Sequence, residues 1–433
     1  RAVPVCGHAL SQSCARADPR RCHACDATLA LELQVPLAEP EQSKVVGELQ
    51  LANNRLELVP AMPEVSQLTG QIAFSEQGLQ LKGLAGLGLG EAVEITGGTQ
   101  ANGKLLIQAK GHARAPELAA YLGPLPAHFL SGKTPFEVLV EGSTGTRPSI
   151  QVNSSLQGLG INLPHPFNKL ADRPLNLLVR RSAKGTDDQW TVRLADTTPL
   201  LEVRAVYAPQ GQGALRYLNA GLGAPVPSAT QGTNLMVVLN ELNFDLWRNV
   251  FKQWPGNPAA IAEQTASAQV AMKPTGLFGQ FGQSGKVPGG LARLTVVTDE
   301  LTLASKKFQQ VSVLAKTVED RWQVNCKAQG TDGYFSWVED PARPNGSLLG
   351  RFKQLSIPDT LDDELKDMVD EPASSIPALD IQADSFVLGN KHLGQLRLLA
   401  ENATAGEKAT ALLNGKAQEW TLRELHLETR TSP

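Results

Sequence analysis

From Ala27 onward apolar and polar residues alternate with a period of two, and this constrains the fold more than any other feature. Val45, Gly47, Leu49 and Leu51 fall on one face, with Val46, Glu48 and Gln50 on the other. "ANN" then supplies a turn, and "RLELV" returns with Leu56 and Leu58 in step. "GQIAFSEQGLQLKG" reads as a hairpin: Ile72 and Phe74, a turn holding Gly78, then Leu79 and Leu81. Further strands are expected at "KLLIQAKG", "PFEVLVEG", "SIQVNSSLQG", "LNLLVRRS", "QWTVRLAD", "LLEVRAVYA" and "TNLMVVLNEL". Each is bounded by Gly, Asn, Asp or Pro, the residues that supply turn geometry. The expected fold is mostly β: an elongated, curled antiparallel sheet with a groove, built of serial hairpins and a few short helices.

Helical text is sparse. "APELAAYLG" (Ala115–Gly123) has Pro116 in its first turn and Gly123 at its end; "NFDLWRNVFKQWP" (Asn243–Pro255) is stopped by Pro255. "TLDDELKDMVDEP" (Thr360–Pro372) reads as an acidic helix in a long connection. The second half repeats itself. "LTVVTDELTLASKKFQQVSVLAK" from Leu294 aligns without a gap to "LDIQADSFVLGNKHLGQLRLLAE" from Leu379, pairing Asp299 with Asp384, Leu303 with Leu388 and Gln310 with Gln395. Both copies read as strand, tight turn, strand, which favours serial addition of hairpins over one globular core.

A chain of 433 residues exceeds one compact core. The expected division is 27–255 as a first β-rich segment, 256–290 as a Gly/Ala/Gln/Pro-rich loop, and 291–433 as a second β-rich segment. Residues 1–26 hold Cys6, Cys14, Cys22 and Cys25 in text without strand period, and are read as disordered or artefactual. The single Cys22-x-x-Cys25 lacks a second pair at zinc spacing, so no metal site is assigned. The chain opens on Arg1, has no apolar run long enough to span a bilayer and carries no signal peptide; it reads as a fragment of a longer protein.

Chemistry is hard to find. A net charge of −3 without basic aromatic patches gives no reason to expect nucleic acid. "GQSGK" (Gly282–Lys286) has Lys286 where a nucleophile elbow needs Gly, and Val287 where a P-loop needs Ser or Thr. The glycines of "GLAGLGLGEA" read as turns and close sheet packing rather than a dinucleotide fingerprint. His112, His128, His165, His392 and His426 have no partner at metal or triad spacing, and Asp187–Asp188 and Asp362–Asp363 sit in turn-like or helical text. No catalytic residue, metal or cofactor is assigned, and the chain is read as no enzyme.

One segment is distinctive. "GLGINLPHPFNKLADRPLNL" (Gly158–Leu177) resembles a recurring segment of the YhdP family, large AsmA-like envelope proteins of Gram-negative bacteria. The matching residues are Gly158, Leu159, Gly160, Leu163, Pro164, Pro166, Phe167, Lys169, Arg173, Pro174 and Leu175. "DRWQVNCKAQGTDGYFSW", "GSLLGRFKQLSIP" and "IPALDIQADSFVLGNKHLGQLRL" are similar to downstream units of that family, so the likeness covers residues 27–433. It implies a periplasmic part of a protein held in the inner membrane by an N-terminal helix outside this chain. It also implies a long β-groove carrying phospholipid toward the outer membrane, with other envelope proteins as partners.

The alternation agrees with that implication. A sheet with one apolar face must bury it, and with few helices it either packs on a second sheet or curls into a groove for acyl chains. Groove candidates are Leu49, Leu51, Ile72, Phe74, Phe136, Val138, Val140, Leu175, Leu177 and Val179. In "PFEVLVEG" Glu137 and Glu141 mark the wetter face, so Val138 is expected to point inward. Pro164, Pro166 and Pro174 cannot donate to a ladder and are expected to end strands at the sheet edge. Lys169 and Arg173 are candidates for headgroup contacts at the rim. Two rival readings remain: an envelope scaffold with its apolar face covered, and an enzyme acting on envelope polysaccharide through converging carboxylates.

Overall fold

The computed structural model describes residues 3–4, 26–36, 43–57, 63–122, 127–143, 145–208, 215–253, 291–303, 305–318, 321–340, 343–357, 378–402 and 420–428. Of these, 74% lie in strands and 6% in helices, so the fold is mostly β with no helical layer to back the sheet. Two compact units divide the chain: Arg1–Leu163 with Phe167–Thr198, and Pro164–Pro166 with Pro199–Pro433.

The first unit contains β1 (Val3–Pro4), β2 (Asp26–Gln34), β3 (Lys44–Leu56), β4 (Val65–Ser75), β5 (Gly78–Gly88), β6 (Glu91–Thr99) and β7 (Leu105–Arg114). Helix α1 (Ala115–Leu122) follows, then β8 (Leu130–Gly142), β9 (Ser149–Ser154), β10 (Leu159–Ile161), β11 (Asn176–Lys184) and β12 (Asp187–Ala195). Neighbours pair antiparallel from β1 to β9. The hairpin read at Gly70–Gly83 is β4–β5, closed by Ser75 opposite Gly78. Val3 and Pro4 oppose Leu29 and Thr28; the remainder of the cysteine-bearing start lies outside the described residues.

The distinctive Gly158–Leu177 segment is an excursion from this ladder. β10 turns back to pair with β8, while β11 pairs with both β9 and β12. Its prolines lie in the connection from β10 to β11: Pro164 and Pro166 follow β10, which has β8 as its one ladder partner, while Pro174 leads into β11, which has a neighbour on each side. Gly158 adopts φ +88°, and a side chain there would run into the Lys133 carbonyl. Only glycine allows both the left-handed backbone and that approach, which accounts for the glycine-led signature.

The second unit contains β13 (Pro199–Tyr207), β14 (Leu215–Leu222), β15 (Gly232–Asn243), α2 (Phe244–Lys252), β16 (Leu291–Leu303) and β17 (Lys306–Val318). It continues through β18 (Arg321–Ala328), β19 (Thr331–Asp340), β20 (Arg343–Ile357), β21 (Ala378–Leu388), β22 (Lys391–Asn402) and β23 (Trp420–Glu428). Asn243 caps α2, its side-chain oxygen accepting from the Leu246 N–H at 3.0 Å. The third expected helix, Thr360–Pro372, lies outside the described residues.

Here the expectation of an all-antiparallel sheet is corrected. β14–β15, β15–β16 and β20–β21 are parallel, so the sheet is mixed. A parallel neighbour requires a crossover connection. Residues 254–290 join β15 to β16, and residues 358–377 join β20 to β21. The glycine-rich loop expected to separate two halves thus links neighbours in one ladder, and the chain divides at Thr198–Pro199. The repeat is real and larger than the aligned text. β16–β17 and β21–β22 are equivalent hairpins, and each is entered by a parallel ladder from the preceding strand.

Candidate functional site

Directly opposed residues in a sheet share a face, so pairing turns alternation into rows. In the first unit one row runs through Leu29, Leu49, Ile72, Leu81, Gly97 and Ile107, then Val140 and Ile150. It ends on Arg181 and Trp190. A neighbouring row joins Ile95, Ala109, Val138, Val152, Val179 and Val192. The sheet curls until this face packs on itself: Leu51, Val65, Leu68 and Leu84 of β3–β5 share one cluster with Ile95, Val138, Val140 and Ile150. Ile95 is 0% exposed and Leu84 1%, so the interior is filled by the protein's own side chains.

Most of the sequence-derived groove candidates belong to this filled interior. Leu51, Val138 and Val140 are buried within the cluster, and Leu49, Ile72 and Phe136 pack against it. Leu177 and Val179 are half-buried on the same face, and Leu175 is buried at the entry to β11. Phe74 lies over Gly47, where a side chain would collide with its ring. The buried row ends in charge. Asp188 receives Arg181 at 3.1 Å and Arg147 at 3.0 Å.

Of the two rim candidates, Arg173 is exposed and Lys169 is not. The Lys169 ammonium donates to the Leu159 carbonyl at 2.7 Å and the Leu170 carbonyl at 3.0 Å. Desolvation lowers its pKa against the opposing pull of Asp172. It ties the excursion together from within and is not presented at a surface.

The second unit carries the longer apolar face, and none of the sequence-derived candidates lies on it. One row links Val203, Ala220, Leu235, Leu294, Ala315 and Val324, then Phe335, Gly350, Ile381, Leu398 and Leu425. Beside it runs a second, from Leu201, Leu222, Val237, Val296 and Val313 through Cys326, Gly333, Phe352, Ala383 and Leu396 to Leu427. Both rows cross all eleven strands of the unit without a charged residue. From β13 to β20 nearly every member is half-buried, on β21–β22 Ala383 and Leu396 are buried with Phe352, Ile381 and Leu398 packed against them, and on β23 Leu425 reaches 56% exposure. α2 has nine residues and packs beside β16, too short to cover such a face. No pairing joins β13 to β23 among the described residues, so the unit is not a closed barrel.

This face has polar and aromatic borders. At one end Glu241, Glu300 and Gln309 oppose one another on β15–β17. Glu300 accepts from the Lys307 ammonium at 2.6 Å and the Gln309 amide at 2.9 Å, and these bonds hold its carboxyl below the usual range. At the other end Trp322 opposes Trp337. Within the face, burial pushes the Cys326 thiol up to about 11, so it stays an uncharged, apolar-lying group. Among the described residues no three His, Cys, Asp or Glu converge as metal ligands. No described helix is long and apolar enough to cross a membrane.

The family model described as YhdP protein matches residues 24–432. The chain belongs to the YhdP family. No curated protein and no solved structure matches it. The match starts two residues before β2 and runs past β23, so both apolar faces lie within the YhdP-family region. Sequence reading missed the second unit's face because membership depends on register across parallel ladders. The available signal was the repeat, whose two copies contribute two pairs of apolar strands to it, β16–β17 and β21–β22.

Proposed function

We propose that this chain is part of an AsmA-like envelope protein, periplasmic and anchored through a segment outside the chain, whose second unit carries phospholipid between the inner and outer membranes. The observation that carries this reading is the pair of uncharged rows crossing β13–β23, mostly half-buried from β13 to β20 and backed there by no layer among the described residues, with Ala383 and Leu396 buried in a cluster on β20–β22. Acyl chains are the natural cover for such a face. Each methylene withdrawn from water contributes about 0.8 kcal/mol and needs no polar partner. That accounts for an apolar site without a catalytic constellation. The polar border at Glu241, Glu300 and Lys307 and the aromatic border at Trp322 and Trp337 set the width over which a chain can lie.

The first unit supports a different role. Its interior is filled, so it acts there as a scaffold that holds the strand array in register. Native mass spectrometry of the purified chain, with lipid extraction, tests the proposal: co-purified phospholipid is expected. A photo-crosslinking residue at Val324 should label lipid, and one at Asn325, on the opposite face, should not. Absence of lipid, or equal labelling at both positions, overturns the proposal in favour of a covered scaffold.

A further inference from the structure

A concavity of the first unit lies on the face opposite its filled interior. It measures about 1200 Å³ and crosses seven strands, β5–β9, β11 and β12. One row of directly opposed side chains forms its wall: Glu94, Lys110, Glu137, Asn153, Leu178 and Arg193. A parallel row of mostly small residues forms the floor, including Ala92, Pro135, Ser155 and Ala195. At about 4.8 Å per strand the wall extends roughly 24 Å from Glu94 to Arg193.

Three properties define what fits. The wall is charge-balanced, with Glu94 and Glu137 against Lys110 and Arg193, so it does not select a polyanion or a polycation. Lys110 and Glu137 pair at 3.3 Å, and the Gln108 amide also donates to Glu137. Glu94, His112 and Arg193 have no hydrogen-bond or ion-pair partner among the described residues, so donors and acceptors stand free along the groove. It offers no deep apolar pocket for the anchor side chain a protein partner would insert. A peptide strand would also add to a sheet edge, where backbone groups are open, rather than lie across a face. The volume exceeds that of ordinary small-molecule pockets and is drawn out along one direction.

We propose that this groove binds a neutral, linear polysaccharide, whose hydroxyl and amide groups bond to the free polar wall while its rings lie over the small floor residues. With few stacking rings in the groove, binding is weak, on the order of millimolar. The site is independent of lipid carriage, which the proposed function assigns to the second unit.

The test is saturation-transfer NMR and calorimetry on the full chain, using N-acetylglucosamine hexamer, cellohexaose, heparin and a polar hexapeptide as probes. Saturable binding of either neutral hexasaccharide is expected. Asn153→Ala combined with Arg193→Ala should weaken it at least tenfold, as should Ala92→Trp, which raises the floor. Ala92 and Arg193 are exposed, so unchanged circular dichroism is expected in both variants, and Val324→Glu should leave the sugar affinity unaltered. No binding of either sugar, affinity unchanged in both groove variants, or preference for heparin or the peptide overturns the inference.

Discussion

Val138→Glu distinguishes a filled interior from an open one. Val138 is 6% exposed and packed among Ala109, Val140 and Val152. A glutamate there either loses its charge or unfolds the unit. If burial raises its pKa well above 7 from an unfolded value near 4.3, linkage puts the cost at pH 7 at about 3.7 kcal/mol. Loss of the fitted valine adds about 1–2 kcal/mol. Against a typical stability of about 5–15 kcal/mol, this is a large fraction. In a unit of this size it should lower the melting temperature by roughly 10–20 °C. The sign follows from the raised pKa: the penalty is full when pH lies above the folded value and vanishes as pH falls below the unfolded one. Near pH 4 only the packing loss remains.

Val324→Glu is the matched control, because Val324 is half-buried on the second unit's face and its carboxylate can keep water. It should cost about 1 kcal/mol or less and remove bound lipid. Circular dichroism melts of both variants and wild type at pH 4 and pH 7 decide the matter. Wild type is measured at each pH because paired carboxylates such as Glu91, held low by Arg114, also lose their contribution in acid. A Val138→Glu melt close to wild type at pH 7 would refute the filled interior. An equal loss in Val324→Glu would refute the open face.

Three further outcomes are expected. Asp188→Ala strands the buried Arg181 guanidinium and should cost about 3–5 kcal/mol, whereas Arg147→Ala leaves the inner pair intact and should cost under about 1 kcal/mol; urea melts measure both. Lys169→Met removes the bonds to the Leu159 and Leu170 carbonyls and should cost about 1–3 kcal/mol with bound lipid unchanged; lipid lost without destabilisation would return Lys169 to a headgroup role. Lys307→Ala should raise the Glu300 pKa toward the ordinary carboxylate range in an NMR titration. Glu300's contribution is present above the unfolded pKa and lost as pH falls through the lowered folded value, so variant and wild-type melts should converge in acid.

The strands were legible because period two is a local property: "GQIAFSEQGLQLKG" needs no distant partner to read as β4–β5. Asn243 and Pro255 bracketed α2 for the same reason. The parallel ladders were not legible: residues 254–290 and 358–377 separate two of the three pairs, and for β14–β15, only residues 223–231 apart, no local text specifies that the second strand runs parallel to the first. The ten groove candidates show the same limit at the level of side chains. "EVLVE" around Val138 and "WQVNC" around Val324 both place a valine on an inward face. Yet Val138 is sealed under β3–β5, while Val324 borders Ala315 and Phe335 on a face that no described residue covers with a second layer. Alternation tells which side of its strand a residue occupies, but how far the sheet curls decides whether that side meets protein or an acyl chain. Curl arises from bulges whose position is set by pairing, such as those at Leu51–Leu56 against β4 and at Leu81–Leu84 against β6. Strands β3–β6 carry several such bulges and close on themselves, but β13–β14, β15–β16, β19–β20 and β21–β23 carry them too, so a bulge bends its strand without deciding alone whether the face beneath it is filled.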